Sequence, residues 1–341
     1  MTTQLDAYVG LGKETTYGTA VTPTSFLTFT EETLDLTLAV TDAQGMRPGR
    51  RTTLNTQRVV TKRSVGGDLT VEATPSELGA VFAAFLGGAV HTLLPGGTAT
   101  YQHLFTPSAD YLPSFTVQKG IPTLGGGPQV PLTFVGMQAS QLELDCKNAA
   151  IPTAKMTWVG KDLLTSVAAA TPVYPAVNEE FSFVGGSITV GGTVTAPTAT
   201  TTATGGTPVG TVTDVTLKLD NALDDGGFTL GGGGTRQRPA AALLAKLTGT
   251  ITAEFSDQVF WQHYTNQDRI GVVLDFKGSN TSDGIARELQ LYIPVIVLEG
   301  EAPKIKAGSI VTQSINFTIL QDLVDGLSPL YVVLRNTVAT Y

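Results

Sequence analysis

Three histidines, one cysteine and two clusters of charge are the residues of this chain that could do chemistry. His91, His103 and His263 stand far apart, and no pair has the short spacing of a metal site. Cys146 is the sole cysteine, so no internal disulfide can form. It follows Leu142-Glu-Leu-Asp, on the face that carries Leu142 and Leu144, which marks a packed strand cysteine rather than a nucleophile. No serine sits in a Gly-x-Ser-x-Gly elbow. The glycine runs at 125–127 and 231–234 lack the Gly-Lys-Ser/Thr ending of a phosphate loop. Asp220, Asn221, Asp224 and Asp225 offer oxygens, but not at the alternating spacing of a calcium loop. The residues therefore predict no catalytic centre, no metal site and no cofactor.

The charge pattern says more. Arg47, Arg50, Arg51, Arg58, Lys62 and Arg63 are six of the 21 basic residues, gathered into seventeen positions without an acid. A comparable stretch further on carries Arg236 and Arg238, but also Asp224 and Asp225, with Phe228 between. No aromatics interleave the first cluster, as a single-strand binder would need. Net charge is −8: residues 1–165 carry 11 basic and 13 acidic side chains (−2), and 166–341 carry 10 and 16 (−6). That balance is wrong for gripping nucleic acid, which takes many cationic phosphate contacts. The first reading is an interface between subunits, in which a basic loop meets an acidic surface. Its residues are Arg47, Pro48, Arg50, Arg51 and Arg58, with Asp224, Asp225, Phe228, Arg236 and Arg238 from the second loop. A solvated loop is the plain alternative, and a nucleic-acid patch the third.

The elements that would position these residues are mostly strands. The charged fraction is only 15%, well below the usual quarter, and Thr and Val are plentiful. Gly66–Gly87 organises the first part. Leu69, Val71 and Ala73 alternate with polar residues, then Thr74-Pro-Ser-Glu opens a short helix. Thr74 is expected to cap it, and Glu77 to reach back to the Thr74 amide. Leu78, Val81, Phe82, Phe85 and Leu86 share one face, and Gly87 ends the helix. The unit returns at Thr250–Thr265, where Leu69-Thr-Val-Glu becomes Ile251-Thr-Ala-Glu. There Val259, Phe260 and Tyr264 form the apolar face.

More of the chain repeats. Val215-Thr-Leu-Lys-Leu mirrors Leu34-Asp-Leu-Thr-Leu. The long loop Asn221–Ala241 mirrors Thr41–Gln57. Met156–Leu163 mirrors Asn316–Leu323. The expectation is two tandem copies, at 1–165 and 182–341, joined by a linker at 166–181. Residues 8–20 read as an extended arm, and Ala196–Gly206 as a flexible low-complexity loop. The N-terminus lacks the pattern of a signal peptide, and no apolar run is long enough to span a membrane. A protein soluble in a cytoplasm is expected.

In this order the motifs resemble a known family. Glu14-Thr-Thr-Tyr-Gly-Thr-Ala-Val-Thr-Pro-Thr-Ser-Phe-Leu is similar to the opening of major tail tube proteins of long-tailed bacteriophages. Gly67-Asp-Leu-Thr-Val-Glu-Ala with its helix, Phe134-Val-Gly-Met, and Val215-Thr-Leu-Lys-Leu-Asp-Asn-Ala-Leu extend the likeness over nearly the whole chain. The resemblance implies a mainly β fold, with β-sandwich units each flanked by one short helix, and no catalytic residues. It implies rings stacked into the hollow tube of a virion tail, with this two-copy chain closing rings of three. Implied partners are other copies of the chain, tail-tip and tail-terminator proteins, a tape measure protein in the lumen, and DNA in transit. Both long loops are expected to reach neighbouring subunits, and lumen-facing strands to carry Thr, Ser, Gln, Asp and Glu with few Arg. Rival readings are the tube of a contractile injection system, a two-domain surface adhesin, and a β-sandwich enzyme.

Overall fold

The computed structural model describes residues 6–49, 51–108, 112–125, 127–175, 179–300, 305, 310–322 and 326–341. The first half contains β1 (Tyr8–Lys13), β2 (Ser25–Leu27), β3 (Phe29–Glu32), β4 (Asp35–Asp42), β5 (Arg58–Glu72) and α1 (Leu78–Leu86). It continues with β6 (Gly87–Leu93), β7 (Tyr101–Pro107), β8 (Phe115–Ile121), β9 (Val130–Cys146), β10 (Thr153–Gly160) and β11 (Asp162–Leu164). The second half contains β12 (Gly186–Val190), β13 (Val194–Thr195), β14 (Thr204–Gly205), β15 (Val212–Asp220), β16 (Lys246–Glu254) and α2 (Val259–Asn266). It ends with β17 (Ile270–Asn280), β18 (Ala286–Glu299), β19 (Thr312–Ile319) and β20 (Tyr331–Asn336).

One long antiparallel sheet crosses both halves in the order β4–β5–β10–β9–β15–β16–β19–β18. Two shorter sheets pack against it. The first runs β2–β1–β8–β9–β11, the second β6–β7–β20–β18–β17–β12. Strands β9 and β18 belong to two sheets each. The sequence of β9 shows why. Thr133–Ala139 is buried on both faces, where the strand passes through the core between layers, and burial alternates again beyond Leu142. Between the layers lie Trp158, Phe134, Met137 and Leu69 in the first half, and Phe317, Ile251, Leu289 and Leu334 in the second.

The strand order of the first half recurs in the second. The sequence β4–β5–β10–β9–β8–β1 corresponds to β15–β16–β19–β18–β17–β12, and β11 on β9 corresponds to β20 on β18. Even an irregularity recurs: pairing shifts between Phe115 and Val117 in β8, and between Ile270 and Val272 in β17. The ladders also correct the sequence matches. Leu69 pairs with Met156 and Ile251 with Ile315, so Met156 corresponds to Ile315, one residue before the match to Asn316. Asp35 opposite Gly66 corresponds to Lys218 opposite Thr248, so Leu34 corresponds to Leu217, two residues beyond the match to Val215. Burial agrees, since Met156, Ile315, Leu34 and Leu217 all face the core.

Several local expectations fail for physical reasons. Tyr8–Lys13 is not an arm but β1, buried between β2 and β8. Its small residues are there for close approach, because a Cβ on Gly10 would meet Pro23 and Phe26. The capping box does not form. Helix α1 starts at Leu78, the Thr74 hydroxyl is buried without a partner, the Thr74 N–H donates to the Glu72 carbonyl, and buried Glu77 accepts the Thr28 N–H and hydroxyl. With the Thr74 N–H already engaged, the carboxylate takes the two donors that Thr28 offers. Helix α1 flanks the first sandwich and is covered in turn, since all but one of its residues are buried. In α2 only Phe260 is buried, and Val259 is exposed. Residues 196–206 are no free loop. Strands β13 and β14 pair, and the turn between them is pinned by Gln102 to the Thr198 and Thr201 carbonyls and by Gln290 to Ala203. Along 166–181, Ala168 and Ala170 bond Gln118, and the Phe181 N–H donates to the Ala73 carbonyl.

Candidate assembly surfaces

The outer face of the long sheet is the first surface. Period-two alternation sends Leu69, Val71, Leu142, Leu144, Leu217, Leu219, Ile251 and Ile315 inward. The residues between them, such as Thr70, Glu143, Asp145, Thr216, Thr250, Ser314 and Asn316, face out. Lysines on this face are held by carboxylates: Lys155 to Asp68 at 2.8 Å, Lys218 to Glu143 at 3.1 Å, and Lys147 to Asp145 at 2.5 Å. Hydroxyls and amides fill the rest, with Thr157 on Asp68, Thr216 on Asp145 and Thr250 on Asn316. Paired in this way, these three lysines offer little free positive charge, and Lys246 stands exposed at the end of β16.

The second surface is the seat of one half on the other. Strand β15 lies along Gln141–Cys146 of β9, with Leu219 opposite Leu142 and Asp220 opposite Gln141. Its continuation runs over the first half. The Asn221 amide reaches the Phe85 and Ala139 carbonyls, and the Ala240 N–H donates to Gln138. Here the second set of charged candidates gathers. Arg238 makes a two-pronged bond to Asp224, whose carboxyl it holds down at about 2. Buried Arg236 donates to the Asp224 carbonyl and approaches Asp225 at 3.5 Å. Lys62 of β5 lies 3.3 Å from Asp225 and 4.3 Å above the Phe228 ring, and the Arg63 N–H donates to Gly234. The Asn221–Ala241 loop thus lies against the first half of its own chain.

The first set of candidates stands elsewhere. Strands β4 and β5 project as a hairpin arm beyond the sandwich, with Leu38, Val40, Val59 and Val60 exposed. Arg47, Pro48, Arg51 and Arg58 lie exposed on that arm and its loop. Arg50 falls outside the described residues. The structure does not bring these described residues to the Asp224–Arg238 group; among the described residues of the basic cluster, Lys62 alone forms an ion pair there, while Arg63 turns to Asp162 at 2.9 Å.

Sequence spacing missed two polar centres. Glu14 is buried and accepts four bonds, from the N–H groups of Gly18 and Gly136 and the hydroxyls of Ser114 and Thr116. Gly136 marks the bend of β9, with φ of +65°. The Glu14-Thr-Thr-Tyr-Gly motif therefore fastens the bend that lets β9 serve two sheets. The other centre is a histidine pair. His91 and His103 face each other across β6 and β7, their Nδ1 atoms 2.8 Å apart. Asn336 uses its amide N–H groups on Pro75 and Tyr341, so its Oδ1 accepts from His103 Nε2. His103 Nδ1 is then the acceptor, and His91 the donor. Cys146 is half-buried, its thiol pushed up to about 12 chiefly by burial, and so is unreactive. Among the described residues no three His, Cys, Asp or Glu converge as a metal site, and no helix is long and apolar enough to cross a membrane.

A mainly β molecule with one long sheet that turns a polar face outward, and no convergent metal-binding cluster among the described residues, has the surface of a structural protein. The chain matches the phage tail tube protein family over residues 4–319 and belongs to it. It is a structural protein of the virion tail, which assembles into a tube with other tail proteins. No curated protein matches the chain.

Proposed function

We propose that three copies of this chain close into a ring of pseudo-sixfold symmetry, and that stacked rings form the tube through which DNA leaves the virion. In this reading residues 1–165 and 182–341 are two copies of one ring unit, and 166–181 is their connection. The polar outer face of the long sheet lines the bore. The chain acts by shape and surface, without catalysis or a cofactor. Tail-tip and terminator proteins close the tube ends, and a tape measure protein occupies the bore before DNA does.

The observation that carries the reading is the long sheet itself. It already joins both halves edge to edge, in the same strand order twice, with one face apolar and the other polar. A sheet with open edges is a template for further pairing, and closure is the arrangement that removes those edges. Purified protein at high concentration is expected to form rings and tubes in electron microscopy, with ring mass in sedimentation equal to three chains. Monomers at every concentration would refute the ring, and six-chain rings would refute its stoichiometry.

A further inference from the structure

The seat of the second half on the first is a template for the contact between chains. Two positions define it. Asp220 lies opposite Lys246 in β16, and Thr37 lies opposite Ser64 in β5, so Thr37 stands where Asp220 stands. Gln141 lies opposite Thr157 in β10, and Glu299 lies opposite Asn316 in β19, so Glu299 stands where Gln141 stands. Within the chain, Asp220 and Gln141 are direct cross-strand partners, their side chains 3.0 Å apart. Their counterparts, Thr37 and Glu299, are both exposed. Among the described residues, no strand covers the outer edge of β4 or the edge of Glu299 away from β19.

A second match points to the same docking. Residues 221–245 cover Lys62 and Arg63 of β5. The ladder makes Leu244 and Ala245 the counterparts of Lys62 and Arg63. Leu243 and Leu244 are bare, at 63% and 88% exposure. The counterpart of the covering segment is the β4–β5 arm, whose loop carries fully exposed Met46 beside exposed Leu38 and Val40. Where the internal contact is ionic, the outward one is apolar on both sides. A monomer leaves such leucines bare at a cost in solubility, whereas a partner removes them from water.

We infer that a second copy of this chain occupies the edge at Glu299 and the Leu243–Leu244 surface, presenting its β4 edge and β4–β5 arm. The contact is head to tail, with Thr37 of one copy beside Glu299 of the next. Contacts of this kind generate a ring when the rotation closes. The arm's Arg47, Arg51 and Arg58 then approach the half of the chain that carries −6. This rests on the reading of the chain as a self-assembling tube subunit.

The test uses the full chain with Cys146→Ser, Thr37→Cys and Glu299→Cys. Assembled protein is oxidised mildly and run without reductant. Cross-linked multimers that end at the number of chains per ring are expected from the double variant, and none beyond background from either single variant. Directly paired strand residues lie within reach of a disulfide. Rings visible in the microscope without that cross-link would overturn the docking and leave the tube reading intact. Wild-type protein that forms no rings would overturn the tube reading itself. Leu244→Asp should leave folding unchanged by circular dichroism, because the side chain is exposed, yet raise the assembly threshold at least tenfold. Assembly at the wild-type threshold would count against the docking.

Discussion

His103 has no contact with solvent, and burial pulls its imidazole down from 6.5 to about 4. The sign of its linkage follows. As pH falls through 6.5 the unfolded chain takes up a proton that the folded chain refuses, so stability is lost between about 6.5 and 4. The full shift is worth about 3 kcal/mol. Asp275 opposes it. Burial and the nearby Glu288 raise the Asp275 carboxyl, so the folded chain gains a proton first and is favoured by acid. A bulk acid titration therefore blurs the two. The difference between wild type and His103→Gln isolates the imidazole, and it should shrink by about 3 kcal/mol from pH 7 to pH 4 in urea melts. An equal difference at both pH values would show that His103 does not carry this linkage. The pair was invisible in the sequence because His91 and His103 are twelve residues apart. Only the β6–β7 hairpin brings them together, and the glycines that open β6 carry no strand pattern.

At the scale of elements, the two helices separate by burial rather than by capping. Helix α1 has no side-chain cap, yet it lies inside the molecule against β6, β7 and β9. Helix α2 starts better, with Asp257 accepting the Val259 N–H, but turns most of its surface to water. Packing on a buried face outweighs a cap worth about 1 kcal/mol. Amide exchange in isolated chains should be at least a hundredfold slower in α1 than in α2, read by mass spectrometry on short fragments. Equal rates would mean that burial does not set their order. The same contrast shows what was legible. Alternating strands such as β5, β10 and β16 could be read because one face meets core and the other water. The recurrence of strand order was legible too, because both halves place apolar residues at matched positions. Its register was not: shifts of one or two residues leave the alternation plausible, and only the ladders fix Met156 against Ile315 and Leu34 against Leu217. Strand β1 was lost because Gly10 and Gly12, small for packing, look like a flexible arm. The Thr/Ala/Gly stretch misled in the same way. Its small residues let β13 and β14 lie flat over buried Gln102 and Gln290.

In the proposed tube, the outer face of the long sheet is the one whose chemistry matters to anything moving along it. A bore that held phosphates would stall DNA, so the proposed lining must offer no array of free cations. The family resemblance implies a lining of hydroxyls, amides and carboxylates, and the outer face of the long sheet carries such residues. What it could not show is that Lys155, Lys218 and Lys147 would be tied down by Asp68, Glu143 and Asp145. Screening makes this local pairing decisive, because at physiological salt a charge acts over only about 8 Å. A distant excess of acid could not cancel a bare cation on the wall. Ser314 and Asn316 are exposed on β19, with side chains on the outer face. Replacing both by arginine adds two cations per chain, the one at 316 opposite Glu299, and disturbs no core residue. Ser314→Arg/Asn316→Arg tubes should assemble at the wild-type threshold. They should bind short duplex DNA inside the tube, with affinity that falls steeply as salt is raised, and virions carrying them should eject DNA more slowly. Wild-type tubes should show no such binding at 0.15 M salt, a condition set by the same screening length. Normal ejection by the arginine tubes, or equal salt-dependent binding by both, would move the bore to another face of the sheet.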